Sequence, residues 1–250
     1  DDTLYNLTTN NHVVLYTITT NSSSGCAGNA FYLTVIVKPA PSATNQTQNI
    51  CSGATLNHVL SSYTTMTGNT YTWLAAENAQ VTGETTTTQT TGNIVDTLVN
   101  TSGVNQEVVY TITPSSSDGC EGASFTITVT IQTEPVGTNQ NISICSGLNL
   151  NQNLNNYTSP NGNTFSWSGG FNPNVFGVTT NTQFTSTITD TLINTTGVDQ
   201  VVVYTITPTS SAGCEGASFT VTVTIQSEPV GTAQMQTICS DTTLNHVLSS

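Results

Sequence analysis

The chain has 250 residues, with 14 acidic side chains against a single basic one, Lys38, and a formal net charge of -13. Nucleic-acid binding draws on Lys and Arg to neutralise phosphates, so one cation excludes that class of partner, and the same shortage excludes electrostatic docking on an anionic membrane. Charged residues are only 6% of the sequence; Thr alternating with Val and Ile takes their place, which suits a pleated sheet and not a disordered chain. No run approaches the ~18 apolar residues of a membrane-spanning helix, and the first residues lack the basic and apolar regions of a signal peptide.

In chain order, the first landmarks are Tyr16, Cys26 and Phe31. They return at Tyr110, Cys120 and Phe125, and again at Tyr204, Cys214 and Phe219, a period of 94 residues. The cysteines at 51, 145 and 239 obey the same period. This spacing exceeds that of solenoid repeats and matches a self-contained domain, so each unit should own a core. Prolines at 41, 135 and 229, in KPAPSA, TEPVGT and SEPVGT, interrupt the β-pattern as stiff linkers would. The expected organisation is the C-terminal half of a truncated repeat at 1–40, complete repeats at 41–134 and 135–228, and the N-terminal part of a further repeat at 229–250. Asp1 falls at the register of Val95 and Ser250 at that of Ser62. We therefore read the sequence as a window from a longer polypeptide.

Within 41–134 the pattern gives short strands separated by turn signals, as in a β-sandwich. TYTW at 70–73, repeated as TFSW at 164–167, reads as a central strand. NTSG at 100–103 supplies a turn before Val108, Tyr110 and Ile112. Phe125, Ile127, Val129 and Ile131 face inward, with Thr126, Thr128 and Thr130 outward. No segment has convincing helical periodicity, and LNHVLSSY around Leu56 comes nearest. The fold class expected is all-β: tandem Ig-like or PKD-like sandwiches of about 94 residues, stapled by disulfides.

Two cysteines per repeat point to an oxidising compartment. The favoured pairing is Cys51 with Cys120 and Cys145 with Cys214, closing each module on itself and stabilising it by about 4 kcal/mol in the chain-entropy model. Cys26 and Cys239 then have partners outside the window. The alternative joins Cys26 to Cys51, Cys120 to Cys145 and Cys214 to Cys239, across each linker.

Catalytic and metal constellations do not assemble from these residues. His58 and His246 share a register at which the middle repeat has Gln152, so they read as structural, and His12 is isolated. Asp118 and Glu121 suggest calcium, but Ala212 replaces Asp118 one repeat later and no calcium loop is present. Trp73 and Trp167 read as core, with sugar stacking the other possibility. The repeats differ most between residues 75–92 and 169–186, where Phe171, Phe176 and Phe184 occur in one module only, so a ligand would be sought there. We expect no enzyme, no cofactor and no metal.

ICSG at 50–53, YTW, LVNTSG, VVYTITP, the Gly119–Cys120 pair and FTITVTIQTEP together resemble the PKD-like or Ig-like repeats of giant surface adhesins of the Bacteroidota, including gliding-motility adhesins exported by type IX secretion. The resemblance covers the whole chain. It implies a stalk or filament segment of a repetitive adhesin outside the cell, on its surface. The implied partners are neighbouring repeats, further copies of the chain in a fibre, and external surfaces or glycans, without membrane insertion. An array of carbohydrate-binding modules on a secreted protein is the alternative. Asp-Thr-Leu at 2–4, 96–98 and 190–192, and Asp-Thr-Thr at 241–243, are similar to the O-glycosylation sites of that phylum. Thr3, Thr97, Thr191 and Thr242 are thereby candidates for glycans, with ordinary strand and turn residues as the other reading.

Overall fold

The computed structural model describes residues 2–231 and 233–244. Ten principal strands carry the fold: β1 (His12–Ile18), β2 (Phe31–Val37), β3 (Gln46–Cys51), β4 (Thr70–Ala75), β5 (Gln106–Ser115), β6 (Phe125–Gln132), β7 (Gln140–Cys145), β8 (Thr164–Gly169), β9 (Gln200–Thr209) and β10 (Phe219–Gln226). The chain divides into two compact units, Asp1–Thr133 and Glu134–Ser250.

In the first complete repeat one layer is a four-stranded sheet in the order β3-β6-β5-β4. β6 pairs antiparallel with β5 and parallel with β3, so that Cys51 stands opposite Gln132. The other layer is built from two-residue ladders, His58–Val59 with Asn93–Ile94 and Val81–Thr82 with Val99–Asn100, and a bridge from Thr55 to Thr97. Alternation along β6 decides which residues meet between the layers. Phe125, Ile127, Val129 and Ile131 are at most 2% exposed, and the threonines between them are half-buried. Leu56, Leu60, Ile94 and Leu98 close the core from the opposite layer. Each such side chain contributes about 1.5–3 kcal/mol on burial. LNHVLSSY contributes a single turn of 3₁₀ helix, Leu60–Tyr63.

TYTW is an edge strand, not the central one expected. β4 pairs fully only with β5; on its outer side the amide and carbonyl of Trp73 exchange hydrogen bonds with Gln89, and the Ala75 N–H donates to the Thr85 carbonyl. The long segment that follows β4 folds back to cover that edge.

The second repeat has the same sheet, β7-β10-β9-β8, with Cys145 opposite Gln226. Its core runs from Leu150 to Ile225 and shares no residue with the first. Residues 2–40 form the β1–β2 hairpin, in register with β5–β6. Phe31 and Leu33 there are each 50% exposed, where their counterparts Phe125 and Ile127 are 2% and 0% exposed.

Candidate functional site

The two cysteines of a repeat lie at opposite ends of its sheet. Cys120 sits in a tight hairpin ahead of β6: its N–H donates to Ser116 Oγ at 3.1 Å and its carbonyl accepts from the Ser116 N–H at 2.9 Å. The same clasp holds Cys26 on Ser22 and Cys214 on Ser210. Cys51 lies beside Gln132, at the far end of β6. Seven strand steps separate Phe125 from Gln132, about 23 Å, whereas a disulfide needs Cα atoms within ~7 Å. Cys51 cannot reach Cys120, nor Cys145 reach Cys214, without dismantling the sheet.

The observed bonding agrees with this geometry and corrects the pairings drawn from spacing. Cys26, Cys120, Cys145 and Cys239 are free thiols. Neither Cys51–Cys120 nor Cys145–Cys214 is formed, and none of the alternative linker clamps is formed either. The physical reason is direction: β3 runs parallel to β6, which carries the first cysteine of the repeat to the end remote from the second.

The hairpin end is also where a repeat meets its linker. The Pro41 carbonyl oxygen lies 2.0 Å from where a Cβ on Gly122 would sit, and Pro135 takes the same place against Gly216 at 1.9 Å, so only glycine fits. Lys38, just beyond β2, reaches across this junction to Asp118 at 3.1 Å. Asp118 is thus the ion-pair partner of Lys38.

The Asp-Thr-Leu triplet divides its labour. Asp190 is 8% exposed and accepts hydrogen bonds from the Thr179 N–H (2.8 Å), Thr179 Oγ1 (2.6 Å) and the Tyr204 hydroxyl (2.6 Å). Asp96 accepts the same set of hydrogen bonds from Thr85 and Tyr110. Burial, then the carboxylate hydrogen bond, raises the pKa of both tyrosines. Leu98 and Leu192 are fully buried, and Thr97 and Thr191 beside them are exposed. Thr3 is exposed as well, and exposed Thr242 donates to the Cys239 carbonyl at 2.6 Å. Sequence reasoning missed the carboxylate role, although the constant Asp-to-Tyr spacing of 14 residues was there to be read.

The remaining candidates are structural. Trp73 and Trp167 are 4% and 5% exposed and donate Nε1–H to the Thr91 and Thr185 carbonyls, each at 3.0 Å. His58 is buried with Nδ1 2.7 Å from the Tyr63 hydroxyl, and Gln152 meets Tyr157 in the same way. His246 lies outside the described residues. Phe171, Phe176 and Phe184 are 81%, 66% and 79% exposed.

The sequence matches the PKD-like domain family over residues 1–41, 48–135 and 142–229. The chain belongs to the PKD-like domain family. None of the curated proteins compared with it matches. Solved structures that it resembles include the I67–I69 fragment of the titin I-band, with a TM-score of 0.36 and 10% identity over 87% of this chain and 75% of that one. Three fibronectin domains of chicken CNTN1 have a TM-score of 0.31 and 8% identity over 85% and 77%. A SusE-like surface-located polysaccharide-binding protein from Bacteroides thetaiotaomicron has a TM-score of 0.29 and 13% identity over 76% and 34%. Tandem PKD-like modules with a disulfide are typical of extracellular repeat proteins. Among the described residues no helix is long and apolar enough to cross a membrane.

Proposed function

We propose that this PKD-like array is a non-catalytic stalk or filament segment of a large extracellular bacterial surface adhesin, serving attachment or gliding. The observation that carries the reading is that each complete repeat closes a core from its own residues alone. Such a unit can be strung in any number, because adding a copy leaves the cores of its neighbours unchanged. Its surface of threonine, serine and asparagine stays soluble without the cations that would recruit polyanions. The sequence resemblance to Bacteroidota adhesins supports a cell-surface location reached by type IX secretion. Exposed Thr97 and Thr191 are the positions at which O-linked glycans would sit. Neighbouring repeats, parallel copies of the chain, and external surfaces or glycans are the partners. Imaging of the intact protein on cells tests this: a long beaded thread is expected, and a compact particle would overturn it.

A carbohydrate-binding array is the second reading, favoured by one observation. Phe171, Phe176 and Phe184 stand in solvent in a module whose neighbour has Glu77, Thr82 and Thr90 at those registers. Exposed aromatic faces stack on sugar rings. Glycan-array binding that disappears in Phe171→Ala or Phe176→Ala would establish this reading.

A further inference from the structure

In the second module the two edges of the sheet β7-β10-β9-β8 are treated differently. The β8 edge is covered: the amide and carbonyl of Trp167 exchange hydrogen bonds with Gln183, and the Gly169 N–H donates to the Thr179 carbonyl at 2.8 Å. The β7 edge has no such cover. Among the described residues, no backbone hydrogen bond reaches Asn141 or Ser143 from the side away from β10.

Alternation along the strands fixes which groups are bare. The Val203 carbonyl accepts from the Gly170 N–H at 2.8 Å and the Val201 carbonyl from Asn172 Nδ2 at 3.0 Å, so odd-numbered residues of β9 turn their backbone groups toward β8. Even-numbered residues of β9 then face β10, where their partners are Phe219, Val221, Val223 and Ile225. Thr220, Thr222 and Thr224 are left to face β7, and the Thr220 N–H accordingly donates to Asn139 Oδ1 at 2.8 Å. Across the parallel pairing these threonines bond to Gln140, Ile142 and Ile144. Asn141 and Ser143 therefore point their N–H and C=O groups out of the sheet.

The chemistry of that strip selects its occupant. A row of outward N–H and C=O groups is matched by another extended strand. Edge strands that stay solitary carry lysines, prolines or bulges, and QNISIC at 140–145 has no charge and no proline. In a chain of net charge -13, this uncharged strip is a place where a second, equally acidic copy meets no like charge. β3, QTQNIC at the same repeat position in the first module, is likewise an uncharged sheet edge.

We propose that β7 is a self-recognition edge, to which a second copy of the chain adds its own β7 antiparallel, with Ser143 opposite Ser143 at a two-fold axis and Asn141 opposite Cys145. The symmetry dictates the direction. A parallel two-fold pair would set each residue level with itself, whereas parallel bonding places an outward-bonding residue level with one whose groups turn away. The antiparallel register instead sets outward groups against outward groups. It also keeps exposed Asn141, Ser143 and Cys145 on one face of the joined sheet and half-buried Gln140, Ile142 and Ile144 on the other. Copies joined at this edge run in opposite directions, so the contact is separate from bundling of parallel copies. It belongs to one module and stands or falls independently of the stalk reading.

The test uses the 250-residue chain and hydrogen exchange read at single amides. Ile142 and Ile144 are expected to exchange slowly at every concentration, whereas Asn141 and Ser143 exchange fast in dilute solution and about tenfold slower or more in concentrated solution. Fast exchange of Asn141 and Ser143 at both concentrations would overturn the proposal; slow exchange at both would also do so, by showing the edge covered within its own chain. Asn141→Cys gives a second readout, because Cys145 is an exposed free thiol and lies four strand steps, ~13 Å, from position 141 of its own chain, beyond disulfide reach. Mild oxidation is expected to give dimers linked from 141 to 145, mapped by non-reducing digestion with pepsin. Monomers, or dimers joined only through other cysteines, would count against the pairing. Ser143→Pro removes an outward N–H without breaking a ladder bond, and Ser143→Lys sets two like charges opposite one another at the axis. Both are expected to keep the thermal melt and abolish the concentration dependence, and its persistence in either folded variant would sink the proposal.

Discussion

Tyr204 donates its hydroxyl to Asp190 at 2.6 Å beneath the surface of the second module, and the threonine that follows Asp190 is the exposed member of the Asp-Thr-Leu triplet. The carboxylate anchors the segment from within while the neighbouring hydroxyl faces water. Asp190→Ala would leave the Tyr204 hydroxyl and both Thr179 donors without their acceptor. A loss of about 2–4 kcal/mol is expected, measured by urea denaturation, while Asp190→Asn should retain part of it.

The tyrosines set an alkaline limit. Burial and the carboxylate raise the Tyr204 pKa above its ordinary 10.0, so the folded state keeps a proton that the unfolded state loses. Stability is therefore fully present below pH 10.0 and falls as pH rises beyond it. Tyr204→Phe should flatten that slope for the second module, as read by denaturation midpoints across the alkaline range.

His58 sets an acid limit in the first module alone. Burial lowers its pKa from 6.5, so the unfolded state binds a proton that the folded state refuses. Its contribution is intact above pH 6.5 and is lost as pH falls through the interval below. His58→Gln copies the second module, where Gln152 accepts from Tyr157. That variant should remove the acid dependence while the module still folds, which thermal melts at several pH values would register.

Gly83 and Gly177 are fixed by a carbonyl. Gly177 has φ +89°, and a Cβ there would lie 2.0 Å from the Thr191 oxygen; Gly83 has φ +97° and 1.9 Å to the Thr97 oxygen. Gly177→Ala combines the left-handed penalty with a backbone clash. A cost of about 2–4 kcal/mol is expected on calorimetry.

Separate cores predict separate unfolding. With disulfides reduced, Trp167→Ala should destabilise its own module by about 3–5 kcal/mol and leave the Trp73 fluorescence transition unchanged. A shift of the Trp73 transition in that variant would mean that the two cores are coupled.

Much of the fold was legible because it follows from local periodicities. Phe125, Ile127, Val129 and Ile131 announce one buried face by alternation, and they are buried. The inward Leu98 beside an outward Thr97 followed from the same rule. Trp73 was legible as core but not as an edge residue, since burial comes from both layers and strand order from hydrogen bonding alone. The site-level errors concern what meets at a distance. Cys51 and Cys120 are near enough in sequence to suggest a loop closure, yet the parallel pairing of β3 with β6 sets them a sheet's length apart.

The sequence by itself determined the period, the all-β class and the inward residues, because repetition and alternation are properties of the chain in order. Only the tertiary structure decided that the two cysteines of a repeat lie at opposite ends of its sheet, which carboxylates are buried under a tyrosine, and why Gln152 stands in for His58. Those outcomes depend on strand direction and on the few ångströms between side chains that the order of residues does not fix.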